Sequence, residues 1–449
     1  MKRSAWRFLW TSVDIRKMLL ITFGLLAIYR LASHVPVPGA NPEVVQAILK
    51  SGGGAGTLLG ILDLLSGGTV SNFSVLAMGV YPYITAQIIL QLLTPIIPAL
   101  QKRMSDDPRE GRKWMEKWTY ILAVPMAALQ AVGQINIFNG MANSAGLSAI
   151  IENFGLFNEY WLPSWAIITS MTAGTMFGIW LGELISEYGI RNQGLSLIIF
   201  AGIVARIPAT FQSLWADEQN RYISTIFMII LTVLVIFAIV FIQQGRRNVP
   251  VMYPGRRVGS RMSMPVRGTL PLMVNMAGMI PIIFAQSLLT FPAIIANFFV
   301  GSQTPWVASF ANSVNEIFGG YSDIYYILYF LMVVGFSFFY TDVLFAQQNY
   351  GENLKRVGAQ IPGVARGAPT QRYLTRVLRR ITLPGALFLG VIAVMPWLVG
   401  LVVDFGGSSG LLLTTSSGLL IVVGVVRDTF FNIDAELKLH GYTDTLLVR

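Results

Sequence analysis

Long apolar runs separated by short polar segments dominate the pattern of this chain. A helix that crosses the hydrocarbon core of a bilayer needs roughly 17–25 apolar residues. Ten runs meet this requirement, so the pattern predicts an all-α, polytopic membrane protein with ten transmembrane helices. The approximate limits of the spans are 18–34, 74–98, 118–138, 161–182, 195–214, 222–242, 271–300, 323–346, 381–403 and 411–433.

The second span is preceded by an apolar piece that is too short to cross a bilayer. This piece, Thr57–Leu65, carries Asp63 and is joined by Gly67 and Gly68 to the longer run that ends near Leu93. Backbone breaks at membrane depth persist only where they are buried in protein or line a cavity. The sequence therefore predicts a short re-entrant segment and an enclosed cavity.

Basic residues lie almost entirely on alternate loops. One set of loops carries clusters at 2–17, 102–117, 246–267, 355–380 and 427–449, whereas the other set has only Lys50, Arg206 and Arg221. Basic residues concentrate in cytoplasmic loops, so both termini are predicted to lie in the cytoplasm.

Two of the basic loops, 243–270 and 347–380, are longer than is needed to fix the orientation of the chain in the membrane. One interpretation is surplus positive charge that fixes topology or binds anionic lipid headgroups. The other is a pair of docking arms for a large cytoplasmic partner, since long loops are often functional. The spacing alone does not decide between them.

Ten spans divide naturally into two halves of five, 1–215 and 216–449. An odd number of spans in each half inverts the second half relative to the first, and inverted halves place the working pathway at their interface. We detect no clear internal sequence repeat, so this division rests on the number of spans.

The composition supports a membrane protein and limits its chemistry. The 449 residues are 54% hydrophobic and only 12% charged, about half of the ~25% that is typical of soluble domains. The net charge of +10 would suggest nucleic acid in a soluble protein, but here it reflects topology, and no direct DNA binding is predicted. The absence of cysteine excludes disulfides and thiolate metal sites.

Ionisable groups in the middle of a membrane mark catalytic or ion-coupled sites. The second, third, sixth and seventh spans have none in their middles, and the only histidines are His34 and His440. We therefore predict no catalytic residue, no metal and no cofactor, and the chain is not predicted to be an enzyme.

A pathway lined by neutral side chains remains. Val80 and Ile84 lie four residues apart and share a helix face, as do Leu195 and Ile199. Lipid-facing positions or ordinary core packing account for most aliphatic pairs of this kind in membrane helices. Three uncharged polar residues within spans either form a separable contact or simply hold helices together; they are Thr85, Gln130 and Asn275.

Several motifs resemble the SecY/Sec61 family of protein-conducting channels, in its bacterial form. The resemblance covers almost the whole chain and is carried by VPVPG at 35–39, SGGTVSNFSVLAMGVYPYITAQIILQLL at 66–93, AGTMFGIWLGELISEYGI at 173–190, LSLIIFAGIVA at 195–205, LPLMVNMAGMIPIIFAQSLL at 270–289, ENLKRVGAQIPG at 352–363 and LLIVVGVVRD at 419–428.

The resemblance implies a role for each of these regions. A plug over 57–73, with its hinge, would comprise Leu58, Leu62, Leu65, Gly67, Gly68 and Phe73. The pore ring would comprise Val80, Ile84, Leu195, Ile199, Ile283 and Ile421. Spans two and seven would flank a lateral gate with Thr85, Gln130 and Asn275 as its polar cluster. Partners would dock on Arg246, Arg247, Arg256, Arg257, Arg261, Lys355, Arg356 and Arg366.

The resemblance also implies partners and a location. The chain would be the pore subunit of a Sec translocase in the bacterial plasma membrane, and would pass unfolded polypeptides outward and release transmembrane segments sideways. Its partners would be SecE-like and SecG-like small membrane subunits, the SecA motor ATPase, the ribosome, signal peptides, nascent chains and anionic lipids.

The chain departs from the family pattern in three places. PGVARG at 362–367 displaces Arg366 by one position relative to the usual PGIRPG, GIRNQGLS at 189–196 is one residue longer than usual, and FGGSSGLLLTTSSGLL at 405–420 is expanded before Ile421.

Two other functions compete with the channel. An ion- or proton-coupled secondary transporter would also have inverted repeats and broken helices, but it predicts a charged site near the bilayer midplane. A scaffold that only docks partners through its basic loops would not need a broken helix.

Overall fold

The computed structural model describes most of the chain. The described residues are 12–41, 43–45, 47, 69–70, 73–144, 146–151, 154–155, 161–191, 193–215, 221–254, 257–258, 261–262, 266–299, 304–319, 322–402 and 409–439.

The described residues form helices and four short strands. The helices are α1 (Val13–Ala32), α2 (Tyr81–Ile96), α3 (Pro98–Asp106), α4 (Pro108–Ser144), α5 (Trp161–Tyr188), α6 (Gly194–Trp215), α7 (Arg221–Gln244), α8 (Ile280–Phe299), α9 (Pro305–Phe318), α10 (Asp323–Gln348), α11 (Tyr350–Arg356), α12 (Ala368–Val402) and α13 (Ser409–Leu439). The strands are β1 (Arg246–Tyr253), β2 (Arg257–Val258), β3 (Arg261–Met262) and β4 (Val266–Met273).

Each of the ten predicted spans coincides with a helix in the described part of the chain, which confirms the helical membrane fold class. Among the described residues, five helical stretches are long and apolar enough to cross a membrane by length and composition. Four lie within α4, α5, α7 and α12, and the fifth, Asp323–Arg356, covers α10 and α11. Shorter apolar helices cover Gly194–Ala205 and Ile280–Ala296.

Proline and its neighbours set several helix limits. Ile97 is extended before Pro98, so α2 ends there and α3 begins at the proline. Asp107 Oδ1 accepts hydrogen bonds from the amides of Arg109 and Glu110, at 3.0 and 3.2 Å, and so caps the start of α4.

Two spans begin later than the sequence predicts. The second span was predicted from 74 and the seventh from 271, but their helices begin at Tyr81 and Ile280. Ser74 forms an isolated β-bridge with Pro36 and residues 75–80 form turns. The first residues of the seventh run, 271–273, pair as a strand. Apolar composition did not distinguish these segments from helix.

The two long basic loops contain regular structure that the sequence analysis did not predict. In 243–270, β1 pairs with β4 in an antiparallel hairpin from Arg246↔Met273 to Tyr253↔Val266. In 347–380, α11 and the first third of α12 are helical, so only the short connection 357–367 lies between them.

The described chain divides into two compact units, and the first comprises 1–229, 286–325 and 396–449. In it α4 packs against α2 and α5, and α6 packs against α5 and α13. A buried cluster among its described residues joins Phe73, Met78 and Phe138 to Met171 and neighbouring aliphatic residues.

The second unit comprises 230–285 and 326–395. Its core is built from the β1–β4 hairpin, α10, α11 and α12, with Val251, Leu272, Phe345, Leu354 and Leu374 buried together. The predicted division into halves 1–215 and 216–449 stays a prediction.

Candidate functional site

A tightly turned segment, 73–80, leads into α2. Its start is fixed by backbone hydrogen bonds from Val37 N to Phe73 O at 3.1 Å and from Val75 N to Val35 O at 3.0 Å. Gly79 has a left-handed φ of 50°, a conformation in which a side chain is strained. This turn leaves Val80 as the fully buried residue that precedes the first turn of α2.

Helix α5 supports this segment through a glycine. A Cβ atom placed on Gly174 would collide with the carbonyl oxygen of Val75 and lie 2.7 Å from its Cγ1. The two backbones can therefore approach this closely only because residue 174 has no side chain.

The starts of α2 and α8 share a nine-residue pattern that the sequence analysis missed. GVYPYITAQ at 79–87 and GMIPIIFAQ at 278–286 match at glycine, proline, isoleucine, alanine and glutamine. Both glycines have positive φ, 50° for Gly79 and 64° for Gly278, and each helix begins two residues later. The prediction of no internal repeat is therefore corrected at this one motif.

The repeat aligns predicted ring residues from the two predicted halves. It aligns Ile84 with Ile283 and Val80 with Met279, and all four side chains are buried. The sequence analysis did not include Met279 among the predicted ring residues, because it is one apolar residue in a long apolar stretch. The alignment of the two repeats identifies it as the counterpart of Val80.

The predicted ring residues lie in both units. Val80, Ile84, Ile199 and Ile421 are buried in the first unit, and Ile283 is buried in the second. The sixth, Leu195, is half-buried and lies over Gly182 of α5, where a Cβ would approach its Cδ2 to 2.7 Å. Their common role as a pore ring stays a prediction.

Two of the three predicted gate residues are in contact. Gln130 Nε2 of α4 donates to Thr85 Oγ1 of α2 at 3.4 Å, and Thr85 Oγ1 donates to Tyr81 O at 3.0 Å. Tyr81 OH in turn donates to Ser287 O of α8 at 3.1 Å. These bonds connect three helices of the first unit through neutral groups alone.

Asn275 belongs to the second unit and lies in the turn before α8. Its Nδ2 donates to Gly278 O at 3.0 Å, which holds the turn that starts the helix. The predicted cluster is thus resolved into a Thr85–Gln130 pair and a separate Asn275 contact, and its gating role stays a prediction.

A small cavity lies beside the Thr85–Gln130 pair. It measures about 20 Å³ and is lined by Val70, Ala77, Met78, Tyr81, Gln130, Gln134, Ile137 and Ile294. Within the described residues, the buried Oε1 of Gln130 has no hydrogen-bond partner. The pair is therefore incompletely satisfied, and its contribution to packing is weak.

Most of the predicted plug lies outside the described residues. Leu58, Leu62, Leu65, Gly67 and Gly68 fall there. The last plug residue, Phe73, is buried with a left-handed φ of 40°, and its ring meets Phe138 edge-on at 5.0 Å between centroids. A phenylalanine with positive φ is strained, so surrounding contacts must hold it.

The two basic loops meet within the second unit. Met252 of β1 and Gln360 exchange backbone hydrogen bonds of 2.8 and 3.0 Å. Gln360 Oε1 also accepts a bond of 3.1 Å from Arg366 Nε. The displaced arginine is therefore tied to the β1–β4 hairpin, and the two loops form one folded surface.

Five predicted docking cations are exposed on this folded surface: Arg246, Arg247, Lys355, Arg356 and Arg366. Lys355 lies 3.9 Å from Glu352, an exposed pair of small energetic value. The side chains of Arg256, Arg257 and Arg261 lie outside the described residues.

Comparison with known proteins decides the family. The SecY family model matches residues 74–430, which begin at the turned segment and include both starts of the repeat. The chain belongs to the SecY family. Two relatives named protein translocase subunit SecY cover 96% of the chain and 96% of their own length. They come from Streptomyces galbus, at 36% identity, and Aquifex aeolicus, at 38% identity.

Solved structures agree with this SecY-family assignment. A structure described as that of a protein conducting channel superposes with a TM-score of 0.61 over 97% of this chain and 96% of its own, at 17% identity. Sec61 in a canine ribosome-channel complex superposes with a TM-score of 0.57, with the same coverage and identity. The resemblance and the membrane fold predicted from the sequence are both confirmed.

Proposed function

We propose that this chain is the central pore subunit of a Sec-type protein translocase. It passes unfolded secretory polypeptides across the plasma membrane and releases transmembrane segments through a lateral gate between α2 and α8. The observation that carries the proposal is membership of the SecY family over residues 74–430, since its relatives are named translocase subunits. These comparisons lend no support to an ion-coupled transporter.

The pore closes through aliphatic side chains. Val80 and Ile84 follow the turn at Gly79, and Ile283 follows the equivalent turn at Gly278. The starts of α2 and α8 therefore contribute equivalent residues to the ring. An apolar constriction excludes water and ions when it is empty, because it dewets. It also lacks strong binding groups, so a chain of any sequence can pass. Met279 joins the ring as the counterpart of Val80.

The lateral gate depends on weak polar contacts. Tyr81 OH of α2 donates to Ser287 O of α8 at 3.1 Å, and the Thr85–Gln130 bond from α2 to its other neighbour, α4, is long at 3.4 Å. Interhelical bonds between neutral groups contribute about 0.6 kcal/mol on average inside membranes. Neither α2 nor α8 has a charged residue, so an apolar segment can partition past them into lipid. The gate can therefore open at a small energetic cost.

The plug over 57–73 closes the outer side of the ring. Its C-terminal end is anchored by Phe73 against Phe138, and Gly67 with Gly68 supplies the hinge. The strained φ of Phe73 makes this anchor dependent on the packing around it.

Cytoplasmic partners dock on the folded surface formed by the β1–β4 hairpin and the 357–367 connection. The SecA motor ATPase or the ribosome contacts the exposed cations there, and the motor rather than this chain hydrolyses ATP. SecE-like and SecG-like subunits complete the complex. The positive charge of the loops supports a cytoplasmic position for this surface and for both termini, in a bacterial plasma membrane.

A reconstitution experiment tests the proposal. The chain is inserted into vesicles with its small subunits, the motor and ATP, and protection of a secretory precursor from external protease is measured. Protection that requires the chain and ATP supports the proposal. Ile84→Asn should open the seal and increase ion leakage, whereas Ile230→Asn, at an exposed position of α7, should not. Absence of protected precursor with all components present would contradict the proposal.

A further inference from the structure

Helix α9 (Pro305–Phe318) of the first unit leaves two large aromatic side chains exposed. Trp306 and Phe310 lie four residues apart on one side of the helix and are 72% and 66% exposed. Ala311, the next residue along, is buried. Adjacent aromatic side chains left outside a packed core are typical of a surface that contacts an apolar partner.

The positions along α9 divide into three sides. Ala311 marks the side that is buried, Trp306 and Phe310 form the exposed apolar side, and the polar residues Asn312 and Glu316 form an exposed third side. With about 3.6 residues per turn, these sides are separated by about 120°. Such a division suits a helix that contacts protein, an apolar layer and water at the same time.

The neighbouring helices have apolar, exposed surfaces up to the ends that connect to α9. Helix α8 ends at Phe299, which is 50% exposed, and the exposed surface of α10 starts at Ile324, its second residue. The connections 300–304 and 319–322 join these helices to α9. An extended chain covers at most ~3.6 Å per residue, so each end of α9 lies within roughly 20 Å of the end of a span.

The start of α10 also has the features of a membrane–water interface. Trp397 Nε1 of α12 donates a hydrogen bond of 2.9 Å to Asp323 Oδ1, the first residue of α10. Tryptophan is enriched at membrane interfaces, because its ring is apolar while its N–H is polar. A carboxylate directly before the apolar Ile324 indicates that α10 enters the hydrocarbon here. Trp306 lies in the segment that leads to this point.

The charge of the segment decides which leaflet and which lipid chemistry it fits. Residues 300–322 contain no lysine or arginine, and Glu316 is their only charged residue. Loops without basic residues lie on the outer side of the membrane. Recognition of an acidic headgroup uses basic residues. The segment therefore fits the outer leaflet through apolar contact, without selection for a headgroup.

We propose that α9 lies in the boundary between headgroups and acyl chains of the outer leaflet. Trp306 and Phe310 insert into the lipid, and Asn312 and Glu316 face water. A lipid layer is favoured over a protein partner, because the exposed aromatic side continues the apolar surface that α8 presents at Phe299. The inference rests on the proposed membrane topology and does not depend on translocation.

Spin labels at two positions of α9 test the proposal. The chain has no native cysteine, so Phe310→Cys and Asn312→Cys each carry one nitroxide. The full chain is placed in phosphatidylcholine vesicles, and collisions with oxygen, which concentrates in hydrocarbon, and with a water-soluble nickel complex are measured by electron paramagnetic resonance. The ratio of oxygen to nickel accessibility should be several-fold higher at residue 310 than at residue 312.

A second substitution tests the role of the tryptophan. Trp306→Ser should lower the ratio at a label on residue 310, because the helix loses half of its apolar anchor. Ser309→Ala, on the exposed polar side, is the matched control and should leave the ratio unchanged. Replacement of phosphatidylcholine by phosphatidylglycerol should also leave it unchanged. Thermal unfolding in detergent checks that each variant is folded.

The contrary outcomes are distinct. High nickel accessibility at both labels would place α9 in water and overturn the proposal. Low accessibility of residue 310 to both reagents would show that protein covers it, and dipolar broadening between labels would identify that protein as a second copy. A ratio that rises only in phosphatidylglycerol would show headgroup recognition instead. Each of these results would leave the proposed translocation untouched.

A separate measurement tests the side of the membrane. In spheroplasts, a maleimide that does not cross the membrane should label Asn312→Cys but not Lys17→Cys, at an exposed position of α1. The reverse pattern would place α9 in the cytoplasm and contradict the proposed topology together with the outer-leaflet position. Failure of the topology is thereby distinguished from failure of the lipid contact alone.

Discussion

Gln130 Nε2 donates a hydrogen bond of 3.4 Å to Thr85 Oγ1, and this contact joins α4 to α2. The sequence analysis had assigned these two uncharged polar residues to the predicted second and third spans. Because Gln130 Oε1 has no partner within the described residues, the pair holds the helices together only weakly.

Replacement of this pair should change gating more than stability. Gln130→Leu removes a long hydrogen bond and an unsatisfied oxygen, so the free energy of unfolding should change by less than about 1 kcal/mol. The hydrophobicity that a segment needs for membrane insertion should nevertheless shift. An insertion assay with graded Leu/Ala segments measures this threshold, with Leu129→Val on the exposed side of α4 as the control. An unmoved threshold would leave Gln130 only a packing role.

Asn275 should act through the turn before α8. Asn275→Leu breaks the 3.0 Å bond to Gly278 O and loosens the turn that positions Ile283. We expect a lower insertion threshold, measured in the same assay. Asn275→Asp retains an acceptor but no donor and should behave like the leucine variant. If the aspartate variant behaved like wild type, the bond to Gly278 would not be the cause.

The close approach of α5 to residue 75 predicts sensitivity at one glycine. Gly174→Ala forces a methyl group against the Val75 carbonyl, and overpacking of this kind costs about 1–3 kcal/mol. The unfolding midpoint in detergent should fall, and ion leakage should rise as the segment before Val80 shifts. Gly24→Ala in α1 is the matched control, since a Cβ there has no atom within 4 Å. Equal effects of both variants would contradict the packing argument.

The proposed anchor of the plug predicts a loss of closure in Phe73→Ala. Removal of a buried phenylalanine costs about 3–5 kcal/mol, and the edge-on contact with Phe138 is lost. Ion conductance across vesicles in the absence of a precursor should increase. Phe73→Gly should be about 1 kcal/mol less harmful than Phe73→Ala, because glycine adopts a φ of 40° without strain. Phe23→Ala, at a 75% exposed position, should have no such effect.

The sequence predicted the helices well because membrane burial leaves a strong signal. Uninterrupted apolar length is enough to locate α7 or α10. The late starts at Tyr81 and Ile280 were missed because the preceding residues are equally apolar, and the turn depends on Gly79 and Gly278 adopting positive φ. Composition reports burial, but it does not report local backbone conformation.

The candidate site was predicted less completely than the fold. The basic loops were identified by charge, but their joining through Met252 and Gln360 is a tertiary contact without a local sequence signal. Met279 could have been found by aligning GMIPIIFAQ with GVYPYITAQ, since the proline and glutamine fix the register. The ring residues were assigned by family resemblance, because an aliphatic pair four residues apart is common in any membrane helix.

The central claim is that Val80 and Ile84 line the path of a translocating chain. The chain has no native cysteine, so Val80→Cys and Ile84→Cys each introduce a single reactive site. Crosslinking to a precursor arrested during export is measured at each position and at Ile230→Cys, whose parent side chain is 60% exposed on α7. We expect strong crosslinks from residues 80 and 84 and none from 230. Equal crosslinking at all three positions would contradict the pore assignment.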